Sequence, residues 1–225
     1  MRLKKSISIK AADYLHEIAK DGDIIGVCWG TTIYNMALNL KHKALKGVQI
    51  VQLKGGISHS QSNTYAYEVV ELFSEAFSTV GRYLPLPVMF DTAQIKELIE
   101  RDKHIKKILD LGRQANIAVF TVGTVKNDAL LFRLGYIDKK DRDIIQNRAV
   151  GDICSRFFDT QGNICDKELD ERTVGIKLEE LKAKEKRILV AGSQRKITAI
   201  KAALKGEFAN ILVTDQYTAE ELLKD

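Results

Sequence analysis

A lysine followed at once by two glycines is the most reactive combination of residue types in this sequence. The apolar and β-branched residues at 50–53 predict a short buried strand, and Lys54 stands where that strand ends. Ligands of open α/β sheets bind just beyond the carboxyl ends of the strands, and Gly55 and Gly56 would let backbone N–H groups approach such a ligand. Lys54 is therefore predicted to bind an anion or to form a Schiff base with an aldehyde. The alternative is a strand-end lysine whose side chain simply reaches solvent.

A second stretch has the layout of a phosphate site, with a glycine and two threonines between a predicted strand and a predicted helix. The strand spans 24–29, the helix spans 33–40, and Gly30, Thr31 and Thr32 lie between them. N–H groups at the start of a helix receive phosphate, and the threonine hydroxyls would add further donors. The spacing matches neither the Walker A pattern nor the dinucleotide pattern GxGxxG. The alternative is that a threonine caps the helix and binds nothing.

Two further predicted strands end, like the first two, next to a glycine or a lysine. The strand at 117–122 precedes Gly123, and the strand at 187–191 precedes a polar turn that contains Lys196, a candidate phosphate-binding cation. Asp152 enters another predicted strand and is a candidate to bind a ligand hydroxyl. The alternatives are a solvent-facing lysine and a turn or capping aspartate. Because parallel strands end at one edge of a sheet, these strand ends together predict one site.

Strands and helices alternate along nearly the whole chain, which predicts an α/β fold of three layers, α/β/α, with a mostly parallel sheet. The 225 residues are expected to form one domain, 1–225. Residues 83–88 contain both prolines and are predicted to be extended, and Asp91 is predicted to cap the helix that follows. The remaining predicted helices are 7–20, 64–80, 102–115, 129–134, 138–147, 197–204 and 218–223, and the remaining predicted strands are 151–159 and 211–214.

The composition excludes several classes of protein. Hydrophobic residues make up 45% of the chain and no apolar run is long enough to cross a bilayer, so we expect a cytoplasmic protein without a membrane partner. Cys28, Cys154 and Cys165 lack a CxxC spacing, which argues against a disulfide framework or a zinc site, and no metal is expected. The net charge is +5, yet basic and acidic residues alternate along the predicted helices, which argues against a nucleic-acid surface in this chain.

The residues alone indicate a pocket for a phosphate and a polyol more clearly than they indicate a reaction. A sugar-phosphate isomerase or a lysine-dependent aldolase would need a group that moves a proton, and Asp152 or His59 could serve. A module that only mediates assembly is a third possibility. The sequence leaves these alternatives open.

Seven stretches taken together resemble the C-terminal effector-binding domain of the SorC family, which are bacterial sugar-sensing transcription regulators. They are GVCWGTT at 26–32, VQLKGGISHS at 51–60, YLPLPV at 83–88, FTVGTV at 120–125, LFRLGY at 131–136, GDICSRFFD at 151–159 and VAGSQRK at 190–196. The resemblance covers almost the whole chain. It implies a fold similar to those of glucosamine-6-phosphate deaminase and ribose-5-phosphate isomerase. It also implies a sensor of a phosphorylated sugar that is not an enzyme.

The resemblance further implies a set of effector-binding residues. In the branch of the family that represses genes for deoxyribonucleoside utilisation, the effector is deoxyribose 5-phosphate, held through a Schiff base to the lysine that matches Lys54. Related members hold the phosphate with residues that match Thr31, Thr32 and Lys196, and Asp152 matches an acidic position near the sugar hydroxyls. The remaining effector-binding positions expected on this basis are Gly30, Gln52, Gly55, Gly56, Asn63 and Gly123.

The resemblance also sets expectations about partners. Full-length family members carry an N-terminal helix-turn-helix domain, and no such pattern occurs in this sequence. We therefore expect an isolated effector-binding and oligomerisation domain that contacts operator DNA only through the missing domain. A homodimer of this domain and a tetramer of the full-length protein are expected, and bound effector should weaken operator binding. No cofactor is expected besides the effector ligand.

Overall fold

The computed structural model describes residues 2–58, 60 and 62–224. Its strands are β1 (Ile24–Val27), β2 (Gln49–Gln52), β3 (Gly81–Arg82), β4 (Ile117–Phe120), β5 (Val122–Gly123), β6 (Gly151–Ile153), β7 (Arg156–Phe158), β8 (Lys186–Val190) and β9 (Ile211–Val213). Within the described residues, a six-stranded sheet has the order β3-β2-β1-β4-β8-β9, and all its neighbouring strands are parallel. The remaining strands form a small antiparallel sheet in the order β5-β6-β7. The predicted α/β class with a mostly parallel sheet is confirmed.

Helices cover both faces of the larger sheet. They are α1 (Arg2–Ile18), α2 (Thr31–Ala37), α3 (Ala66–Ala76), α4 (Ala93–Glu100), α5 (Lys103–Gln114), α6 (Leu130–Arg133), α7 (Lys139–Arg148), α8 (Lys167–Arg172), α9 (Leu178–Lys182), α10 (Ile197–Lys205) and α11 (Gln216–Leu222). Along β4, Ile117 and Val119 pack with residues of α1, α2 and α3, whereas Ala118 and Phe120 pack with residues of α9 and α10. Because successive side chains of a strand point to opposite faces, this sheet is buried on both sides, as the three-layer prediction requires.

The stretch at 151–159 is a hairpin, so the prediction of one continuous strand is wrong. β6 and β7 pair in antiparallel fashion with Ile153 opposite Arg156, and Cys154 and Ser155 form the turn between them. Both turn residues have positive φ, 52° and 68°, which is the backbone of a two-residue hairpin turn. Such turns favour asparagine and glycine, and neither residue type is present at these positions, so the sequence contains no turn signal here.

Three other differences from the predictions concern the ends of elements. Thr92 caps α4, because its Oγ1 accepts a hydrogen bond from the Ile95 N–H at 3.3 Å, and the prediction that Asp91 caps this helix is wrong since the helix begins at Ala93. β4 ends at Phe120, because the chain then leaves the large sheet and joins the small one as β5. α8 and α9 are too short to show a helical period of apolar residues, and no prediction covers them.

Candidate functional site

A cavity of about 270 Å³ opens at the carboxyl edge of the large sheet. The segments that follow β1, β2, β5 and β8 all contribute to its lining, so the strand ends that we predicted to meet do meet at this edge. Seven of the predicted site residues line it, namely Gly30, Thr31, Thr32, Lys54, Gly123, Asp152 and Lys196. Chemistry in this cavity therefore depends on residues that are far apart in the sequence.

Lys54 is a buried amine at this cavity. Only 5% of the residue is exposed, which rules out the alternative that its side chain reaches into solvent. Its Nζ donates a hydrogen bond to Ser155 Oγ at 3.2 Å and lies 3.6 Å from the centre of the Trp29 ring. A cation over the face of an indole is attracted to the ring, and the attraction strengthens when water is excluded. The aromatic ring and the hydroxyl therefore fix the position of the amine.

The backbone around Lys54 is held as firmly as its side chain. Ile176 N–H donates to Leu53 O at 2.8 Å, and Lys54 forms an isolated β-bridge with Gly175. Trp29 Nε1 donates to Gly55 O at 2.8 Å, so the ring that contacts the amine is also anchored beside it. The strand end that carries the lysine is consequently rigid, which favours a defined geometry at Nζ.

Arg156 organises the segment that pairs with Lys54. Its guanidinium is 1% exposed and donates to the carbonyl groups of Ile176 at 2.7 Å and Gly175 at 2.9 Å. The same guanidinium donates to Thr173 O at 3.2 Å and forms an ion pair with Asp170 Oδ1 at 2.6 Å. This buried arginine therefore supplies donors to a non-helical stretch whose carbonyl groups would otherwise be unpaired.

Asp152 is a second buried ionisable group that lines the cavity. Burial raises the pKa of its carboxyl group above the ordinary value, while the charge of Lys54, the N–H of Ser155 and the charge of Lys196 offset part of that effect. The Ser155 N–H donates to Asp152 Oδ2 at 3.1 Å, so Ser155 contacts the acid through its amide and the amine through its hydroxyl. A Cβ at Gly123 would collide with Asp152 Oδ1, and glycine at this position is what admits the carboxylate.

Gly30, Thr31 and Thr32 also line the cavity, together with Lys196. Gly30 is the N-cap of α2 with φ 129°, and no side chain caps this helix, so the alternative that a threonine is the cap is wrong. Thr32 is buried, and its carbonyl accepts a hydrogen bond from Ser8 Oγ at 3.3 Å. Lys196 Nζ donates to Thr121 Oγ1 at 3.4 Å. Hydroxyl groups, a helix start and an ammonium group are the donors that phosphate requires.

The loop between β8 and α10 is tied to α11. Ser193 has φ 102°, a backbone conformation that non-glycine residues rarely adopt. Its N–H is shared between Asp215 Oδ2 at 3.2 Å and Thr218 Oγ1 at 3.0 Å. These bonds hold the backbone that carries Arg195 and Lys196 at the cavity. Sequence reasoning missed Arg195, which also lines the cavity.

Four residues predicted to bind effector do not line this cavity. They are Gln52, Gly55, Gly56 and Asn63. The N–H of Gly55 donates to Val174 O at 3.4 Å and that of Gly56 to Leu86 O at 2.9 Å, so these amides pair with backbone carbonyls rather than facing a ligand. Gln52 Nε2 donates to Lys54 O at 2.6 Å. Gln52, Gly55 and Gly56 thus stabilise the backbone on both sides of Lys54.

Asn63 lines a separate cavity, of about 640 Å³, next to the first turn of α3. Its side chain donates to Glu68 Oε1 at 3.2 Å and accepts from the Tyr65 N–H at 2.7 Å. These bonds organise the start of the helix. His59, the candidate proton-moving group in the same loop, lies outside the described residues.

Among the described residues, no group of three or more histidine, cysteine, aspartate and glutamate side chains is placed to hold a metal ion. Cys28 and Cys154 are buried free thiols, and Cys165 is a partly buried one. In the described part of the chain, no helix has the length and apolar character needed to span a bilayer.

The fold is that of a sugar-binding domain of transcription regulators. The family model whose description is "Putative sugar-binding domain" matches residues 1–224, so the chain belongs to this family of SorC-type domains, as the sequence motifs predicted. The chain is 55% identical over 219 residues to the deoxyribonucleoside regulator of Bacillus subtilis, and the match covers 97% of this chain and 70% of that protein.

Solved structures agree with this assignment. The full-length sorbitol operon regulator SorC of Klebsiella pneumoniae superimposes with a TM-score of 0.90 at 25% identity, covering 98% of this chain and 73% of that one. A transcriptional regulator from Streptococcus pneumoniae superimposes with a TM-score of 0.91 at 26% identity, covering 98% and 85%. The chain spans 64–70% of the length of the curated relatives compared with it.

Proposed function

We propose that this chain is the effector-binding domain of a transcriptional repressor of deoxyribonucleoside-utilisation genes, and that its effector is deoxyribose 5-phosphate. The main support is the buried amine of Lys54 in a cavity that Thr31, Thr32 and Lys196 also line. An amine can bond to an aldehyde, and the other groups can bind a phosphate, so one open-chain sugar phosphate would use both kinds of group. The Bacillus subtilis relative is named for deoxyribonucleosides, which contain this sugar.

The proposed bond is an imine between Lys54 Nζ and C1 of the open-chain sugar. The neutral amine attacks the aldehyde carbon while the carbonyl electron pair moves to oxygen, and a proton passes from the nitrogen to that oxygen to give a carbinolamine. The hydroxyl then takes up a second proton and leaves as water while the nitrogen lone pair forms the C=N bond of the protonated imine. Asp152, whose pKa is raised by burial, is close enough to Lys54 to feel its charge and is the group we assign to these proton transfers. A protonated imine would keep a positive charge over the Trp29 ring.

The phosphate would lie at the start of α2. The hydroxyl groups of Thr31 and Thr32 would donate to it, and the Lys196 ammonium would neutralise part of its charge. Holding both ends of the sugar phosphate raises the effective concentration of the aldehyde at Lys54. This arrangement favours the open-chain form of the sugar, which is the form that can make the imine.

A lysine-dependent aldolase or a sugar-phosphate isomerase on the same fold is the second candidate. The observation in its favour is the buried Asp152 beside Lys54, because an aldolase needs a proton-moving group next to its imine. The relatives named above are regulators, which favours the sensor. Consumption of deoxyribose 5-phosphate by the purified chain, followed over many equivalents, would decide for the enzyme.

The proposed covalent mode is tested by borohydride reduction in the presence of deoxyribose 5-phosphate, followed by intact mass measurement and peptide mapping. We expect one adduct, on Lys54. Lys184 is an internal control, because it is as buried, at 4% exposed against 5%, but lies outside the cavity. Thermal stabilisation without an adduct would overturn the covalent mode and leave a non-covalent sensor. If deoxyribose 5-phosphate gives no adduct and no thermal stabilisation, the named effector is overturned.

We further infer that operator DNA is bound by a separate domain of the full-length protein, in the cytoplasm. In this proposal the present domain forms homodimers and the full-length repressor a tetramer. Deoxyribose 5-phosphate would lower the affinity of that tetramer for its operator. Light scattering on this domain and on the full-length protein, and gel shifts with and without the effector, test these points.

A further inference from the structure

Two residues that line the cavity form an exposed ion pair. Arg195, in the 3₁₀ turn Gln194–Lys196, donates to Asp128 Oδ1 at 2.6 Å. Asp128 lies in the loop that leads from β5 to α6, and both residues line the cavity. Their side chains are 53% and 63% exposed. The pair therefore connects two loops that reach the cavity from different strands.

A phosphate bound in this cavity would compete with the Asp128 carboxylate for the guanidinium group of Arg195. Asp128 places a carboxylate in the same cavity as Thr31, Thr32 and Lys196, and Arg195 lowers the pKa of Asp128, so the carboxylate remains charged. An exposed ion pair contributes at most about 1 kcal/mol. A guanidinium group can give a phosphate two parallel, charge-assisted hydrogen bonds, which are stronger. The interaction of Arg195 with a phosphate would therefore be stronger than its present ion pair with Asp128.

The backbone that carries Arg195 is fixed, so only its side chain needs to move. The Lys196 N–H donates to Ser193 O at 2.9 Å, and the Ser193 N–H is held by Asp215 and Thr218. A long and half-exposed side chain on a fixed turn can change partners without any change in the loop. No rearrangement of the fold opposes the exchange.

We propose that Arg195 is a phosphate-binding residue that determines specificity for phosphorylated sugars, and that bound phosphate takes its guanidinium away from Asp128. This inference rests on the proposed function, since it requires a phosphorylated ligand in this cavity. Loss of the ion pair would release the loop that contains Asp128 and precedes α6. Asp128 then disfavours binding, because its carboxylate competes for Arg195 and repels the phosphate.

The test is calorimetric titration of four proteins with deoxyribose 5-phosphate and with deoxyribose. The proteins are the wild type, R195Q, D128N and the double variant. We expect R195Q to weaken binding of the phosphorylated sugar by about 10- to 100-fold and to leave binding of deoxyribose unchanged. D128N should tighten binding of the phosphorylated sugar by about 2- to 5-fold. In the double variant, D128N should tighten binding less than it does alone, because Asp128 competes with the phosphate only when Arg195 is present.

The opposite signs of the two single variants separate this proposal from a structural role of the ion pair. A pair that merely holds the loops in place would lose affinity in both variants, and that result, or an unchanged affinity in R195Q, would overturn the proposal. Both residues are exposed, so melting temperatures should stay close to that of the wild type. If deoxyribose 5-phosphate fails to bind the wild type, the proposed effector is wrong, and inorganic phosphate replaces it as the probe. Weaker binding of phosphate by R195Q would still support the role of Arg195, and equal binding would overturn it.

Discussion

The Nζ atom of Lys54 lies 3.6 Å from the centre of the Trp29 ring, and Trp29 is the one tryptophan of the sequence. The indole is anchored by its own hydrogen bond to Gly55 O, so the two groups keep a fixed relation. Any change in the charge or the bonding of the amine therefore changes the environment of the one indole of this sequence. This contact provides an optical probe of the proposed reaction.

We expect deoxyribose 5-phosphate to change the fluorescence of Trp29 in a saturable manner, because imine formation alters the cation above its ring. In K54M the change should disappear, together with the adduct found after borohydride reduction. Deoxyribose without phosphate is the control, and it should need a far higher concentration. The same fluorescence change in K54M would show that Lys54 does not react.

Asp152→Asn should raise stability at neutral pH while weakening the response to the effector. Burial raises the pKa of Asp152, so the native state holds this proton more tightly than the unfolded chain does. The stability that the neutral form provides is present below the ordinary pKa, of about 4, and is lost as the pH rises through the raised one. The variant keeps a neutral side chain at every pH, and we expect it to be more stable than the wild type at pH 7 and to lose that advantage as the pH falls towards the ordinary pKa.

Urea unfolding at pH 4 and pH 7 measures this effect, and Asp159→Asn is the matched control of opposite sign. Burial by itself would raise the pKa of Asp159. The hydrogen bonds from the N–H groups of Asn163 and Gln161 have the larger combined effect, and the pKa of Asp159 is lowered. The stability contributed by this carboxylate is present at neutral pH and is lost as the pH falls through the lowered value. Asp159→Asn should therefore be less stable than the wild type at pH 7. A loss of stability in Asp152→Asn at pH 7 would contradict the expected direction of the effect.

Arg156→Met should destabilise the fold by about 3–5 kcal/mol, because it removes a buried cation and leaves several carbonyl groups and Asp170 unpaired. Arg101→Met is the matched control. Arg101 pairs with Glu97 at 3.3 Å, but the two side chains are 71% and 69% exposed, so its loss should cost less than about 1 kcal/mol. Chemical denaturation of both variants measures the difference. Equal stabilities would mean that Arg156 does not support the segment that pairs with Lys54.

Gly55→Ala should lose about 1–3 kcal/mol and disturb the strand end next to Lys54, because the added Cβ would collide with Pro87 O. Gly112→Ala is a control of opposite sign. Gly112 lies in α5, where a Cβ would meet Leu53 Cδ2 at an ordinary 3.4 Å, so the higher helix propensity of alanine should add about 0.5–1 kcal/mol. Thermal unfolding compares the two variants. A Gly55→Ala protein as stable as the wild type would show that the backbone can shift there without cost.

Much of the fold could be predicted from the sequence because its strands are apolar and β-branched and are separated by helices. That pattern is enough to predict parallel strands, and parallel strands place their carboxyl ends together. The position of Lys54 at such an end was therefore informative by itself. The layout at the ends of two other strands indicated Thr31, Thr32 and Lys196 as phosphate-binding candidates, and all three line the cavity.

Two features of the cavity could not be predicted, for physical reasons. Ser155 reaches Lys54 because a tight turn with positive φ directs it there, and the residues at that turn are not those that usually adopt such a backbone. Arg195 meets Asp128 across 67 positions of sequence, and an exposed pair leaves no hydrophobic pattern in the sequence. The glycines after Lys54 show the converse error. Their spacing indicated ligand contact, whereas their amides bond to neighbouring backbone.

The parallel sheet has a consequence for synthesis of the protein. The residues that line the cavity extend from Cys28 to Lys196, and β8 pairs with β4 only after the intervening hairpin has been made. A nascent chain therefore emerges from the ribosome without a complete site until nearly all of this domain has been translated. A product truncated before β8 would lack Lys196, so under the proposed function we expect it not to bind the effector.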